Sequence, residues 1–239
     1  YPMVNSQGYA RFRVEAPQAQ SVIVSLGLGG QGGTVLHKDE NGVWWGTTDG
    51  PMDEGFHYYH LTIDGGVVND PGAKNYYGSV RWESGIEIPA HDQDFYQVKD
   101  VPHGQVVQVL FPSPSTNSTK RAFVYLPPQY DGKKKFPVMY LLHGHGGDET
   151  AWGDLGRTSQ IMDNLIAQGK CVPMIVVMPN GNPTCNAAPG WWHEGMYTPD
   201  GNAFNRRGAK ASMEESFMDI VNFVDKNYKT IRKRSARAV

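Results

Sequence analysis

Val138-Met139-Tyr140-Leu141-Leu142-His143-Gly144-His145-Gly146-Gly147-Asp148 is the stretch on which the reading of the fold turns. Apolar residues run without a break from Phe136 to Leu142, as in a strand buried on both faces of a mainly parallel sheet. The run empties into a His-Gly-x-Gly-Gly turn. Small residues directly after a buried strand let a backbone N–H point into a site, where it stabilises the oxyanion of an acyl-transfer intermediate. The same glycines would also serve tight strand-to-helix packing alone. A metal reading competes, because His143, His145 and Asp148 lie close together. The H-x-H-x-D-H pattern, however, needs an aspartate where Gly147 stands, and no HExxH or paired CxxC site occurs elsewhere. A hydrogen-bonded His143 is the better reading, and no metal or other cofactor is expected.

Outward from that turn, a second apolar run, Val172–Met178, follows a segment with Ile161, Leu165 and Ile166 at helical spacing. Ser212-Met213-Glu214-Glu215 forms an S-x-x-E capping box, after which Phe217, Ile220, Val221, Val224 and Tyr228 mark one apolar helix face. Gln105–Phe111 and Arg121–Leu126 read as paired strands, and Arg237-Ala238-Val239 as the first residues of another strand. Strands alternating with helices predict an α/β layer architecture over residues 104–239.

The first 90 residues follow another grammar. Tyr9–Val14 and Val22–Leu26 read as short strands, Asn41-Gly42 as a two-residue hairpin turn, and Gly55–Ile63 as one strand that Asp64-Gly65-Gly66 turns into Val67-Val68. Strands at this spacing without helical period predict a small β-sandwich. Its aromatics Trp44, Trp45, Tyr58, Tyr59, Tyr76, Tyr77 and Trp82 are either sugar-stacking surface or, as more often in sandwiches, packing. Residues 91–103 are polar and irregular and read as the linker.

A length of 239 residues, about one and a half times a typical ~150-residue domain, allows one large or two modest domains. With 22 basic against 24 acidic side chains, no global positive field draws in nucleic acid, and no apolar run approaches the ~20 residues that span a bilayer. The first residues lack a signal-peptide pattern. Cys171 and Cys185 are expected as two free thiols. No pattern specifies an oligomeric state.

Two long segments carry a family resemblance. Pro102–Trp152, through the strand and turn quoted above, and Ala167–Gly181 (AQGKCVPMIVVMPNG) together resemble carbohydrate esterase family one, which contains feruloyl, acetyl xylan and esterase-D-like esterases. Arg11–Val24, Lys38–Thr48 and Gly55–Gly65 resemble the immunoglobulin-like, family-48 type carbohydrate-binding module often fused in front of such enzymes. The resemblance implies an immunoglobulin-like β-sandwich over residues 1–90 followed by an α/β-hydrolase domain. It implies a Ser-His-Asp esterase, secreted or periplasmic, that releases hydroxycinnamoyl or acetyl groups from feruloylated or acetylated xylan and xylo-oligosaccharides. His143-Gly144-His145-Gly146 matches the family's oxyanion strand-end, with the backbone N–H of His145, and Gly146 beside it, as donor. Asn180-Gly181 matches a strand end that borders the cleft. Trp191 and Trp192 fall in the family's variable loop, as an aromatic wall for a phenolic acyl group or as a packing anchor.

No serine in residues 1–239 sits in G-x-S-x-G. The resemblance places that elbow directly after the strand beginning at Arg237, so nucleophile, acid and histidine are expected beyond residue 239 and the hydrolase domain is expected to be incomplete here. Two alternatives stand beside the feruloyl esterase. One is another acyl-ester hydrolase or acyltransferase of the same fold, acting on acetyl xylan, siderophores or thioesters. The other is a non-catalytic glycan-binding module with an inactive esterase scaffold.

Overall fold

The computed structural model describes residues 1–27, 33–78, 81–144, 146–182 and 213–239. The chain divides into one unit of Tyr1–Tyr76 with Trp82–Gln93, and a second of Tyr77–Arg81 with Asp94–Val239. None of the described helices is long and apolar enough to cross a membrane.

Residues 1–88 supply eleven short strands: β1 (Met3–Val4), β2 (Ala10–Glu15), β3 (Val22–Val24), β4 (Thr34–Val35), β5 (His37–Lys38), β6 (Val43–Thr47), β7 (Gly55–Tyr59), β8 (Leu61–Ile63), β9 (Gly66–Val68), β10 (Asn75–Gly78) and β11 (Arg81–Ile88). They form three sheets in the orders β1-β2-β6-β5, β4-β3-β8-β9 and β10-β11-β7. Strand β2 shows how side-chain alternation builds the interior: Ala10, Phe12 and Val14 point inward while Arg11, Arg13 and Glu15 face out. Phe12 and Trp44 from the first sheet, Val24 and Leu61 from the second, and Tyr59 and Ile86 from the third belong to one apolar cluster.

Two local expectations are refined by this unit. Asn41-Gly42 does reverse the chain, but inside a three-residue loop, because Asp39 still pairs with Val43 through its N–H. The Asp39 carboxylate accepts from the N–H groups of Asn41 at 2.9 Å and Val43 at 3.0 Å, and Gly42 takes φ +79°, the left-handed position such loops require. Gly55–Ile63 is not one strand. At His60 the chain leaves one sheet for another, held where the Ser25 hydroxyl oxygen accepts from the His60 N–H at 3.0 Å and the Ser25 N–H donates to the His60 carbonyl.

The second unit is built on β12 (Gln105–Ser113), β13 (Ser118–Leu126), β14 (Val138–Tyr140), β15 (Ile175–Pro179) and β16 (Arg237–Ala238), with helices α1 (Ala151–Asp154), α2 (Thr158–Ala167) and α3 (Met213–Asn227). The sheet order is β12-β13-β15-β14-β16. Strand β13 runs antiparallel to both β12 and β15, whereas β15, β14 and β16 are mutually parallel. All five residues of β15 are buried, as its unbroken apolar run requires. Alternate residues serve different faces: Ile175 and Val177 pack with Ile220, Val221 and Val224 of α3, and Val176 and Met178 with Met162 and Ile166 of α2. The two helices therefore cover opposite faces of the sheet.

The sequence spacing centred α2 on Ile161, Leu165 and Ile166, but its buried face is Met162, Asp163, Asn164 and Ile166. Two polar side chains point inward because they have partners there. Asp163 accepts from the Tyr125 hydroxyl at 2.6 Å and the Gly104 N–H at 2.9 Å. The Asn164 amide donates to the carbonyls of Phe95 and Gln97. These bonds tie the segment before β12 to the second unit. For α3, Ile220, Val221 and Val224 face inward as the pattern predicts; Ser212 lies outside the described residues.

Replacing Ile175, fully buried between two neighbouring strands, by alanine should cost about 2–5 kcal/mol in urea unfolding. Val106→Ala, on edge strand β12 and 49% exposed, should stay within about 0.5 kcal/mol. Equal losses would contradict this placement of the core.

Candidate active site

Right-handed crossovers explain where the chain diverges at the end of the sheet. From β14 the chain passes through α2 to β15, and from β15 it returns through α3 to β16 on the far side of β14. Opposite directions of travel with one handedness put the two helices on opposite faces. The segments leaving the C-terminal ends of β14 and β15 therefore part company. In open α/β sheets such a point is where ligands bind. The residues at these two ends are His143–Gly147 and Asn180–Asn182.

After Tyr140 the pairing continues for one bond, Leu141 N–H to the Val177 carbonyl at 2.8 Å, before the turn begins. The Gly147 N–H closes that turn onto the Gly144 carbonyl at 3.1 Å. Gly146, at its third position, has φ +84°, where only glycine is unstrained. The Gly147 amide is thus used inside the protein. No described residue accepts from the Gly146 N–H. His145 lies outside the described residues, as do Trp191 and Trp192.

His143 joins the two strand ends. Its Nε2 accepts from the Gly181 N–H at 2.9 Å, so the ring proton resides on Nδ1, which donates to the Gly144 carbonyl at 2.9 Å. Burial holds its pKa below the usual histidine range, which keeps the ring neutral at pH 7. With both nitrogens engaged, this imidazole is a brace rather than a base or a metal ligand. A Cβ at Gly181 would meet the end of the Met213 side chain at 2.6 Å, so that flexible side chain packs directly over the glycine.

Beneath the turns lies a charged cluster that the sequence does not announce. Glu149 is 1% exposed, and its Oε1 accepts from Arg121 Nε at 2.6 Å while Oε2 accepts from Asn180 Nδ2 at 2.8 Å. Asn180 is itself 3% exposed, and its side-chain oxygen takes the Asn182 N–H at 2.9 Å. Asn182 Nδ2 then donates to the Gly147 carbonyl at 3.1 Å, and Lys120 Nζ donates to the Asn182 carbonyl. Of the expected substrate-side pair, Asn180 turns its side chain into this network and Gly181 presents backbone. The motif reading missed Arg121 and Glu149, and the only signal was two adjacent charges opening an otherwise apolar strand.

Asp148 sits beside Glu149 and is equally buried. Burial, then repulsion from Asp148, pushes Glu149 up to about 7, with Arg121 pulling it back. Burial raises Asp148 as well, against hydrogen bonds from the Thr150 N–H and hydroxyl. The pair titrates as a unit and retains one proton into the neutral range. Both Glu149 oxygens and Asp148 Oδ1 already receive donors, and Asp148 Oδ2 is buried without a partner among the described residues.

A carboxyl that keeps its proton on folding but releases it when unfolded contributes stability that falls as pH rises. Here the loss runs from the ordinary carboxylate range to about pH 7. His143, depressed, contributes in the opposite direction just below its ordinary range, so a difference measurement is needed. Asp148→Asn keeps the Thr150 bonds and removes the repulsion. Its stability in urea should gain on wild type between pH 5 and pH 8; a pH-independent difference would contradict the shared proton.

The endo-1,4-beta-xylanase/feruloyl esterase of Xylanibacter ruminicola is 67% identical over 187 residues, which is 76% of this chain and 26% of that protein. Endo-1,4-beta-xylanase Y of Acetivibrio thermocellus is 34% identical over 114 residues, 47% of this chain and 10% of that protein. The chain thus spans about a quarter of the first relative's length and a tenth of the second's. The solved enterobactin esterase FES of Shigella flexneri, in the presence of enterobactin, has the same fold, with a TM-score of 0.63 over 98% of this chain and 64% of that one at 12% identity. Residues 113–239, the sheet from the end of β12 onward with its two strand-end turns, match the Esterase family profile, and with just over half of its length so matched the chain belongs to that esterase family.

Proposed function

We propose that the protein is a feruloyl esterase, which cleaves hydroxycinnamoyl esters from xylan or xylo-oligosaccharides by a Ser-His-Asp mechanism. The observation that carries this reading is the turn after β14, at the parting of β14 and β15. There Gly146 holds a left-handed conformation and no described residue accepts from its N–H. In this reading the main-chain N–H groups of His145 and Gly146 receive the acyl oxygen as negative charge develops on it. A fixed amide there costs no reorganisation during the reaction, which is why such donors stabilise the transition state more than water does. Asn180 steadies the neighbouring turn, Gly181 lines the cleft, and Trp191 and Trp192 flank the phenolic ring.

The serine nucleophile, in this reading, stands on a G-x-S-x-G elbow that follows β16 in the chain. Strand β16 lies beside β14, so an elbow after it would open next to the turn that holds Gly146. The acid and the histidine come later still. The name of the Xylanibacter ruminicola relative supports a feruloylated substrate, and a polymer of that kind is met outside the cytoplasm, which supports a secreted or periplasmic protein.

For the first unit we infer an immunoglobulin-like carbohydrate-binding β-sandwich, supported by small sheets that share one core. Burial of Trp44, Tyr59 and Tyr77 removes them from any sugar-stacking surface, and of the remaining four, Trp45, Tyr58, Tyr76 and Trp82, only Trp82, at 39%, is exposed rather than half-buried, which makes it the leading platform. Trp82→Ala should abolish retardation of the full-length protein in affinity gels containing soluble xylan; unchanged retardation would assign binding elsewhere.

The full-length protein should release ferulate from methyl ferulate and lose that activity after treatment with a serine-directed sulfonyl fluoride. Failure to cleave methyl ferulate, acetylated xylan and aryl acetates alike would overturn the reading. Gly146→Ala forces a side chain into the left-handed region, at a cost of about 1 kcal/mol in stability. It should also lower kcat at least about tenfold by tilting the amide away from the oxyanion. Unimpaired kcat in that variant would remove Gly146 from the site.

A further inference from the structure

We propose that Glu149 is a positioning residue of this active site, its buried carboxylate clamping the turns after β14 and β15 in the arrangement that receives the acyl group. The inference rests on the esterase reading of those turns.

Glu149 is the junction of three strands. It follows the turn that leaves β14, it takes Arg121 Nε from β13, and it takes Asn180 Nδ2 at the end of β15. The Asn180 N–H also donates to the Arg121 carbonyl at 3.2 Å, so the same two residues are tied through backbone as well. From Asn180 the linkage runs through Asn182 to the Gly147 carbonyl, one residue from the Gly146 amide. A closed circuit of hydrogen bonds therefore leaves the chain at Glu149, two residues past the turn, passes through Arg121 and Asn180, and returns at Gly147, the turn's last residue.

Stability alone does not account for this arrangement. An Arg–Glu pair sealed from water costs desolvation that its Coulomb attraction often fails to recover, and apolar residues of similar volume commonly hold such a position as well or better. Strands β13 and β15 are already joined by backbone pairing from Ala122–Pro179 to Tyr125–Val176. What an apolar replacement cannot do is accept from the Asn180 amide and so fix the heading of Asn180–Asn182. Precision at the turns, rather than cohesion of the sheet, is the property the carboxylate supplies. Misplacement of a catalytic group by about 1 Å can cost ~10²-fold in rate.

The test uses the full-length protein with p-nitrophenyl acetate and methyl ferulate as substrates. Wild type inactive on both overturns the esterase reading and this inference with it; active wild type leaves the inference to be judged on variants. The double variant R121M/E149M removes both charges together and should keep its circular dichroism spectrum and thermal midpoint. Its kcat should fall by ~10²-fold while KM changes by less than about threefold, the signature of an interaction made in the transition state. Unchanged kcat in the folded double variant, or a loss confined to KM, overturns the proposal. Asn182→Ala leaves the ion pair intact and severs only the side-chain bond to the Gly147 carbonyl, so it decides the matter if the double variant does not fold. A kcat reduced about tenfold supports the circuit, and an unaltered kcat overturns it.

Discussion

Strands β14 and β15 lie side by side and parallel, yet the chain leaves them toward opposite faces of the sheet. That single constraint, imposed by right-handed crossovers with α2 and α3 travelling in opposite directions, organises the second unit. It sets the point where an open α/β sheet receives ligands at one place, with the glycine turn after β14 and the Asn180–Asn182 segment after β15 as its two banks. Nothing comparable exists at the β12 and β13 end, where a long antiparallel hairpin closes on itself through nine consecutive residue pairs.

Strand ends that diverge leave backbone groups that the sheet would otherwise satisfy. The molecule answers with side chains brought in from below: His143 bridges the two banks directly, while Glu149, Arg121, Asn180 and Asn182 bridge them from underneath. Lys120, Arg121, Asp148 and Glu149 are all buried. Such a cluster is costly to desolvate, and it persists because each member but one has its hydrogen bonds. The exception, Asp148 Oδ2, is buried without a partner among the described residues. Of the resulting turn, the Gly144 and Gly147 carbonyls and the Gly147 amide already have partners.

Much of this was legible in the residues. Uninterrupted apolar runs before His143 and before Asn180 identified strands buried on both faces, and those strands are parallel and central. Glycines after the first run identified the turn, and the left-handed Gly146 gives the physical reason for one of them. Other features were not legible because they depend on pairing across the sequence. Gly55–Ile63 alternates smoothly through His60, and only Ser25, far upstream, makes that residue the crossing between sheets. Arg121 reads as a charge at the mouth of a strand and Glu149 as an acid on a solvated turn. They meet because β13 and β14 flank β15, an order that local patterns do not encode. Asp163 and Asn164 likewise look solvent-facing on a helical wheel, yet they serve Tyr125, Gly104 and the segment before β12. His145, Trp191 and Trp192 lie outside the described residues, so their placement rests on the resemblance alone.

The most direct measurement is a crystal structure of the full-length protein reacted with a phosphonate ester that mimics the tetrahedral intermediate. The account predicts a phosphorus bound to a serine, with the anionic oxygen about 3 Å from the main-chain nitrogen of His145 or Gly146. An adduct whose oxygen points elsewhere, with both amides hydrogen-bonded inside the protein, would contradict it.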